Sequence, residues 1–337
     1  MSAETVITTT YMVLVSVIGT TGNLLVICAI LRNRRLRTMV SNYFLFNLSV
    51  SDLLTVCLAI PLRLVEGFQP GSIPCSVVIA ATVLFDGLSR LNISFVSVDR
   101  FVAVRFPFGY TLYMTSVIAV GLIISGWIVM TAFAVLPIVG VGSASPELLH
   151  QNHGLCFFSI NLSTAYLLIF LIGFCLLPVV LSSVINLFLF KASHRQLRII
   201  QVQYLNAETS AAVETNNFAS IATNVEVRTE GNEPANTSRQ QNCRRTIQLR
   251  QRKVLKMVTV LVSLFFVLVL PITLIDLLGA FGHSHVPPFV AKIAVCMIYT
   301  NAAINVFVYA GFNREFRKTF VQIIRAARAW ITSVHHQ

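Results

Sequence analysis

Ionisable side chains stand where an apolar sequence should have none. Asp52 lies midway along an apolar run, in Asn47-Leu-Ser-Val-Ser-Asp52-Leu. A carboxylate in such a place is costly and marks a functional position by default. Ser89, Asn301 and Asn305 fall at comparable depth in other apolar runs. One carboxylate with several neutral oxygen donors suits a small hard cation. The same groups equally suit a hydrogen-bond network that holds helices together. Asp86 and Arg90 are four residues apart inside one run, which on a helix puts them on one face with the acid first. Paired, they neutralise each other; alone, either would be severely penalised. An internal ion pair and a ligand contact are both open readings. Asp99-Arg100 closes the same run, where a rim partner and interfacial snorkelling are alternatives.

These groups need elements long enough to carry them. Of 337 residues, 55% are hydrophobic and 11% charged. A soluble domain carries about 25% charge to cover its surface, so lipid is the solvent for much of this chain. About 20 mainly apolar residues suffice for a helix to cross the hydrocarbon core. Seven segments qualify: approximately Thr10–Leu31, Asn42–Arg63, Cys75–Val104, Ser116–Ile138, Thr164–Phe190, Val254–Phe281 and Pro288–Tyr309. The expected fold is an all-α membrane protein, a seven-helix bundle. Residues 1–9 would be a short outer N-terminus, 10–312 the bundle, and 313–337 an amphipathic helix with a short tail. Pro61, Pro137, Pro178 and Pro271 each mark an expected bend, tolerated where neighbours satisfy the freed carbonyls. The polar, aperiodic stretch 195–252 reads as an inner loop with a disordered centre. In the tail, Asn313 to Phe320 followed by Ile323, Ile324, Ala327 and Trp330 alternates apolar and basic faces, the pattern of a helix lying on a membrane surface.

The net charge of +12 invites comparison with nucleic-acid binders, but its distribution excludes that class. Arg32, Arg34, Arg35 and Arg37 follow the first segment, Arg100 and Arg105 the third, eleven Lys or Arg lie from Lys191 to Lys256, and five follow the seventh. The alternate loops hold none. This positive-inside bias predicts an outer N-terminus and an inner C-terminus. Of the cysteines, Cys75 and Cys156 fall at the outer face, where oxidation is permitted. Every histidine lies in a loop or tail, which disfavours a His-based intramembrane enzyme. A small transporter, the rival class, would show repeats or Gly/Pro-broken helices in matching halves, and neither is evident.

Gly22-Asn23, Leu48-Ser-Val-Ser-Asp52, Asp99-Arg100-Phe101, Trp127, Pro178, Phe265 with Pro271, and Asn305-Val-Phe-Val-Tyr309 occur in successive segments. As an ordered set over nearly the whole chain they resemble the signatures of rhodopsin-like (class A) G protein-coupled receptors. The resemblance implies a plasma-membrane receptor, not an enzyme, that binds an extracellular small molecule and activates a heterotrimeric G protein. It implies a Cys75–Cys156 disulfide and a sodium ion at Asp52, Ser89, Asn301 and Asn305. It also implies an activation set of Asp99, Arg100, Phe265, Pro271, Asn305 and Tyr309. Arg100 would meet the G protein when span six swings outward, with Asp99 restraining it at rest. Arrestin is a further implied partner, through phosphorylation of the third inner loop.

The chain departs from the family pattern at Val269 (usually tryptophan), Val306 (usually proline), Asn186 (usually tyrosine), Gln251 (often an acid) and Arg90 (usually aliphatic). These departures favour constitutive activity or weak coupling. Tyr299 stands where an opsin carries its retinal lysine, and Thr82 where amine receptors carry an aspartate. The outer end is most similar to that of adenosine receptors, with Phe158 two residues after Cys156. Yet Asp276 replaces the asparagine that reads the purine there. Thr82, Asp86, Phe158, Asp276 and Tyr299 are the expected ligand contacts, for an adenosine-like molecule or a biogenic amine.

Overall fold

The computed structural model describes residues 3–69, 72–143, 156, 158–192, 195, 234–282 and 286–335, with side chains of 234–255 and a few terminal or loop residues outside the description. Seven helices are long and apolar enough to cross a membrane: Glu4–Arg32, Ser41–Phe68, Cys75–Arg105, Ser116–Val135, Thr164–Ala192, Lys256–Ala280 and Phe289–Phe312, here spans one to seven. The chain is thus a multi-pass membrane protein. Its large exposed hydrophobics, among them Val117, Ile128, Leu177, Leu187 and Phe307, would be ruinous in water and are ordinary against lipid. Span three is the most buried (67%) and span four the least (22%). Side chains at the middle of span three are therefore the best placed to meet several neighbours at once.

The chain forms two compact units, Met1–Asn186 with Met257–Gln337, and Leu187–Lys256. The first holds the core. Val26, Phe44, Leu48, Ile93, Val96, Leu261, Phe265 and Tyr309 pack in one cluster, and Ile79, Val83, Leu88, Met130, Leu167 and Phe170 in another. Small residues let the helices approach. A Cβ on Gly22 would stand 2.7 Å from Val306 Cγ1, and one on Gly19 the same distance from Val56 Cγ1. Lipid offers no hydrophobic drive for helix association, so such close packing is what holds spans one, two and seven together. The second unit contains the end of span five and the first part of the helix Pro234–Ala280. The central loop expected to be disordered lies outside the described residues.

Span boundaries and bends differ from expectation for local reasons. Helix one already covers residues ahead of the apolar run, and within it Thr8 donates its hydroxyl to the Glu4 carbonyl (2.9 Å). Pro61 and Pro178 are each preceded by a π-helical stretch, Thr55–Ala59 and Phe170–Leu176. A π turn shifts the hydrogen-bond register by one residue and accommodates the missing proline N–H. Pro271 sits within an unbroken helix. Pro137 does not bend span four: the helix ends at Val135 and the proline lies in the turn that follows.

The surface helix extends well beyond Phe320, covering Arg314–His335. Buried Phe316 stacks on Tyr309 (centroids 5.6 Å apart), and Asn33 donates to Thr319 (2.9 Å), so its start is pinned to the bundle. At the opposite end Cys75 and Cys156 are joined in a disulfide with Cα atoms 5.5 Å apart and a sequence separation of 81. Closing a loop of that size is worth about 4–5 kcal/mol in a chain-entropy account. Cys75→Ser is expected to lower thermal stability by most of that amount and to match Cys156→Ser. Unequal losses, measured by thermal unfolding in detergent, would point to contacts other than the shared bond.

Candidate functional site

The five expected ligand contacts line a single cavity. Thr82, Asp86, Phe158, Asp276 and Tyr299 converge there with Arg63, Arg90, Phe170 and Cys175, around a volume of about 50 Å³. Span three supplies Thr82, Asp86 and Arg90, span six Asp276, and span seven Tyr299. Phe158 belongs to a short helix, Phe158–Asn161, two residues beyond the disulfide. Cys156 offers its backbone carbonyl to Arg63 Nη1 at 2.6 Å, which ties span two to the disulfide. Thr82, Asp86 and Tyr299 also line the next cavity inward.

Asp86 and Arg90 form a buried ion pair through Oδ2 and Nη2, as their spacing predicts. Arg90 is 2% exposed. Its guanidinium carbon lies 5.8 Å from the Phe170 ring centroid, within range of a cation–π attraction. Phe170 in turn is fixed by stacking with Phe133 and by an edge contact from Phe158. Phe170 is the first residue of the π-helical stretch Phe170–Leu176. Sequence reasoning assigned no part to Arg63, Phe170 or Cys175. Arg63 at a rim and a phenylalanine in an apolar run carry no distinguishing signal.

Below this cavity, Asp52 is fully buried. Ser89 Oγ donates to its Oδ1 at 2.7 Å, Asn305 Nδ2 to its Oδ2 at 2.6 Å, and Ser51 lies 3.2 Å from Ser89. Asn301 lines the same small space, about 10 Å³, roughly one water sphere. Each carboxylate oxygen keeps a second lone pair, and the serine and asparagine oxygens are neutral donors of the kind a monovalent hard cation accepts. The set fits sodium better than a divalent metal, since among the described residues no group of three or more His, Cys, Asp or Glu comes together.

A third cluster closes span three. Adjacent residues of a helix point apart. The arginine stem is long enough to curl back, and Arg100 Nε donates to Asp99 Oδ2 at 2.8 Å. Tyr110 OH donates to Oδ1 at 2.7 Å, from the short helix Tyr110–Tyr113. Burial, and after it the Asp99 charge, hold the Tyr110 phenol above its ordinary value, so it stays a donor. Asp99 is fully buried and Arg100 partly exposed. Phe265 and Tyr309 are buried in the neighbouring core, the Tyr309 hydroxyl without a protein partner among the described residues. Asn186 donates to the Ser182 carbonyl at 2.7 Å and receives Thr259 Oγ1 at 3.5 Å, which makes it a small link from span five to span six. The side chain of Gln251 lies outside the described residues. Asn161 is buried.

The chain matches the family described as 7 transmembrane receptor (rhodopsin family) over residues 22–309. It is 26% identical to the human (Homo sapiens) Adenosine receptor A2a over 325 residues, 93% of this chain and 70% of that one. It is 28% identical to the D(1A) dopamine receptor of Didelphis virginiana over 327 residues, 91% of this chain and 70% of that one. With the family pattern running through all seven spans, from Gly22 to Tyr309, the chain belongs to the rhodopsin family of seven-transmembrane receptors.

Proposed function

We propose that this plasma-membrane receptor takes a small extracellular molecule into the cavity between Thr82 and Asp276 and answers by activating a heterotrimeric G protein at Arg100. One observation carries the reading: five side chains chosen from sequence line one cavity near the disulfide, while Asp99 and Arg100 lie at the other end of span three. Span three thus joins a ligand end to a transducer end. The positive-inside bias supports an outer N-terminus and an inner Arg100. The cytoplasmic helix Arg314–His335 would rest on lipid headgroups, with exposed Ile324 and Trp330 toward the acyl chains. Arrestin recruitment would depend on the third inner loop, of which residues 196–233 lie outside the described residues.

Two ligand chemistries have support in the cavity. Phe158 offers a flat apolar face for a nucleoside base, and Asp276 a carboxylate for an amine. Asp86 is less available, being committed to Arg90. The test is a screen of nucleosides and amines against a panel of G protein activation reporters. Activation by a member of either class, lost on Asp276→Asn or Phe158→Ala, is the expected result. Ion flux in liposomes without nucleotide exchange would instead favour a transporter.

The Asp52 cluster is proposed to hold sodium. Asp52, Ser89 and Asn305 would bind it, and Asn301 would complete its shell. The ion would stabilise the arrangement in which it fits. A cation at ten times its Kd adds about 1.4 kcal/mol. Thermal unfolding in NaCl should therefore exceed that in an equal concentration of N-methylglucamine chloride, and Asp52→Asn should remove the difference. An unchanged sodium increment in that variant would leave the cluster as a helix-bracing network only.

A further inference from the structure

Arg90 is the least satisfied polar group of the cavity. A guanidinium carries five N–H bonds. Nη2 meets Asp86, but Nε and Nη1, both buried, find no protein acceptor among the described residues. The Phe170 face at 5.8 Å offers diffuse attraction, not a lone pair. Burying such donors without acceptors is costly, and they sit in the wall of the ligand cavity. In the same wall the Asp276 carboxylate is buried.

We propose that the ligand is dipolar: an acid group accepts from Arg90 and an ammonium donates to Asp276, the arrangement of a small amino acid. The inference rests on the reading of this cavity as the ligand site. Charge balance favours it. The formally charged residues lining the cavity are Arg63, Arg90, Asp86 and Asp276, which cancel. A ligand of zero net charge keeps that balance. A bare amine adds a positive charge and leaves three N–H bonds of Arg90 unmet.

The test uses the full-length receptor in nanodiscs. Probes are the standard L-amino acids, each paired with its decarboxylated amine, and adenosine as a third arm. Apparent affinity is read from the concentration dependence of the Tm shift, with nucleotide exchange on purified G protein in parallel. At least one amino acid should bind about ten- to hundredfold more tightly than its amine, the range for hydrogen bonds to charged groups. Because Arg90→Gln alone strands Asp86, the comparison variant is Asp86→Asn with Arg90→Gln, which removes both charges; the preference for the acid should vanish in it. Amines that bind as well as their acids would overturn the proposal, as would a preference that survives the double variant, or no amino acid binding at all. In each of those cases, an amine or adenosine that still drives exchange would leave the receptor reading standing. Silence of all three arms in both assays would remove support from that reading as well.

Discussion

Arg90→Leu alone should cost the receptor about 3–5 kcal/mol of stability, enough to remove most folded protein from the cell surface. The reason is Asp86, which would remain as a buried carboxylate without its partner. The lost contact with Phe170 adds to the penalty. Removing both charges should be far milder, because a buried pair contributes little beyond what it cost to desolvate. Surface expression and thermal unfolding of Arg90→Leu, Asp86→Asn and a double Asp86→Asn, Arg90→Leu variant check this. The expected order is wild type and double variant high, Arg90→Leu low. A double variant no better than the single one would show that Arg90 is held by something other than Asp86.

The second large effect concerns signalling. Asp99→Asn should raise basal nucleotide exchange by about tenfold or more, and Arg100→Ala should abolish exchange, alone and combined with Asp99→Asn. Asp99 holds Arg100 Nε at 2.8 Å and is itself held by Tyr110 at 2.7 Å. A hydrogen bond between charged groups is worth about 1.5–3 kcal/mol, and loss of that restraint shifts a two-state equilibrium by the same amount. The shift should be large in this chain because Gln251 stands where an acid often shares the restraint. Among the described residues, Asp99 is the carboxylate that meets Arg100. Exchange on purified heterotrimer, with surface expression as control, measures both. Unchanged basal exchange in Asp99→Asn would mean that the inactive arrangement is kept by packing around Phe265 and Tyr309 instead.

Much of this architecture is written in residue type. Apolar runs place the spans, because a helix in lipid must satisfy its own backbone and present carbon outward. The ends are less legible: Thr8 reads as polar, yet it satisfies its hydroxyl on its own helix, onto Glu4 at 2.9 Å. The π turns before Pro61 and Pro178 have no residue signature at all. They follow from how neighbours fill the gap at a proline, which is a three-dimensional matter. Asp86 and Arg90 could be paired from their spacing, but not the approach of the guanidinium to the Phe170 ring, which comes from another span. Arg63 looked like a rim charge because its partner is a backbone carbonyl of a distant loop. Carbonyls carry no letter in a sequence.

Every assignment above requires the cavity and Arg100 to face opposite sides of the membrane. Single cysteines introduced at Gln69 and Leu112 test that, since Gln69 is exposed after span two and Leu112 is 74% exposed beside Tyr110. A membrane-impermeant maleimide on intact cells should label Gln69→Cys and spare Leu112→Cys until the cells are permeabilised. Labelling of both positions on intact cells, or of Leu112→Cys alone, would contradict the account.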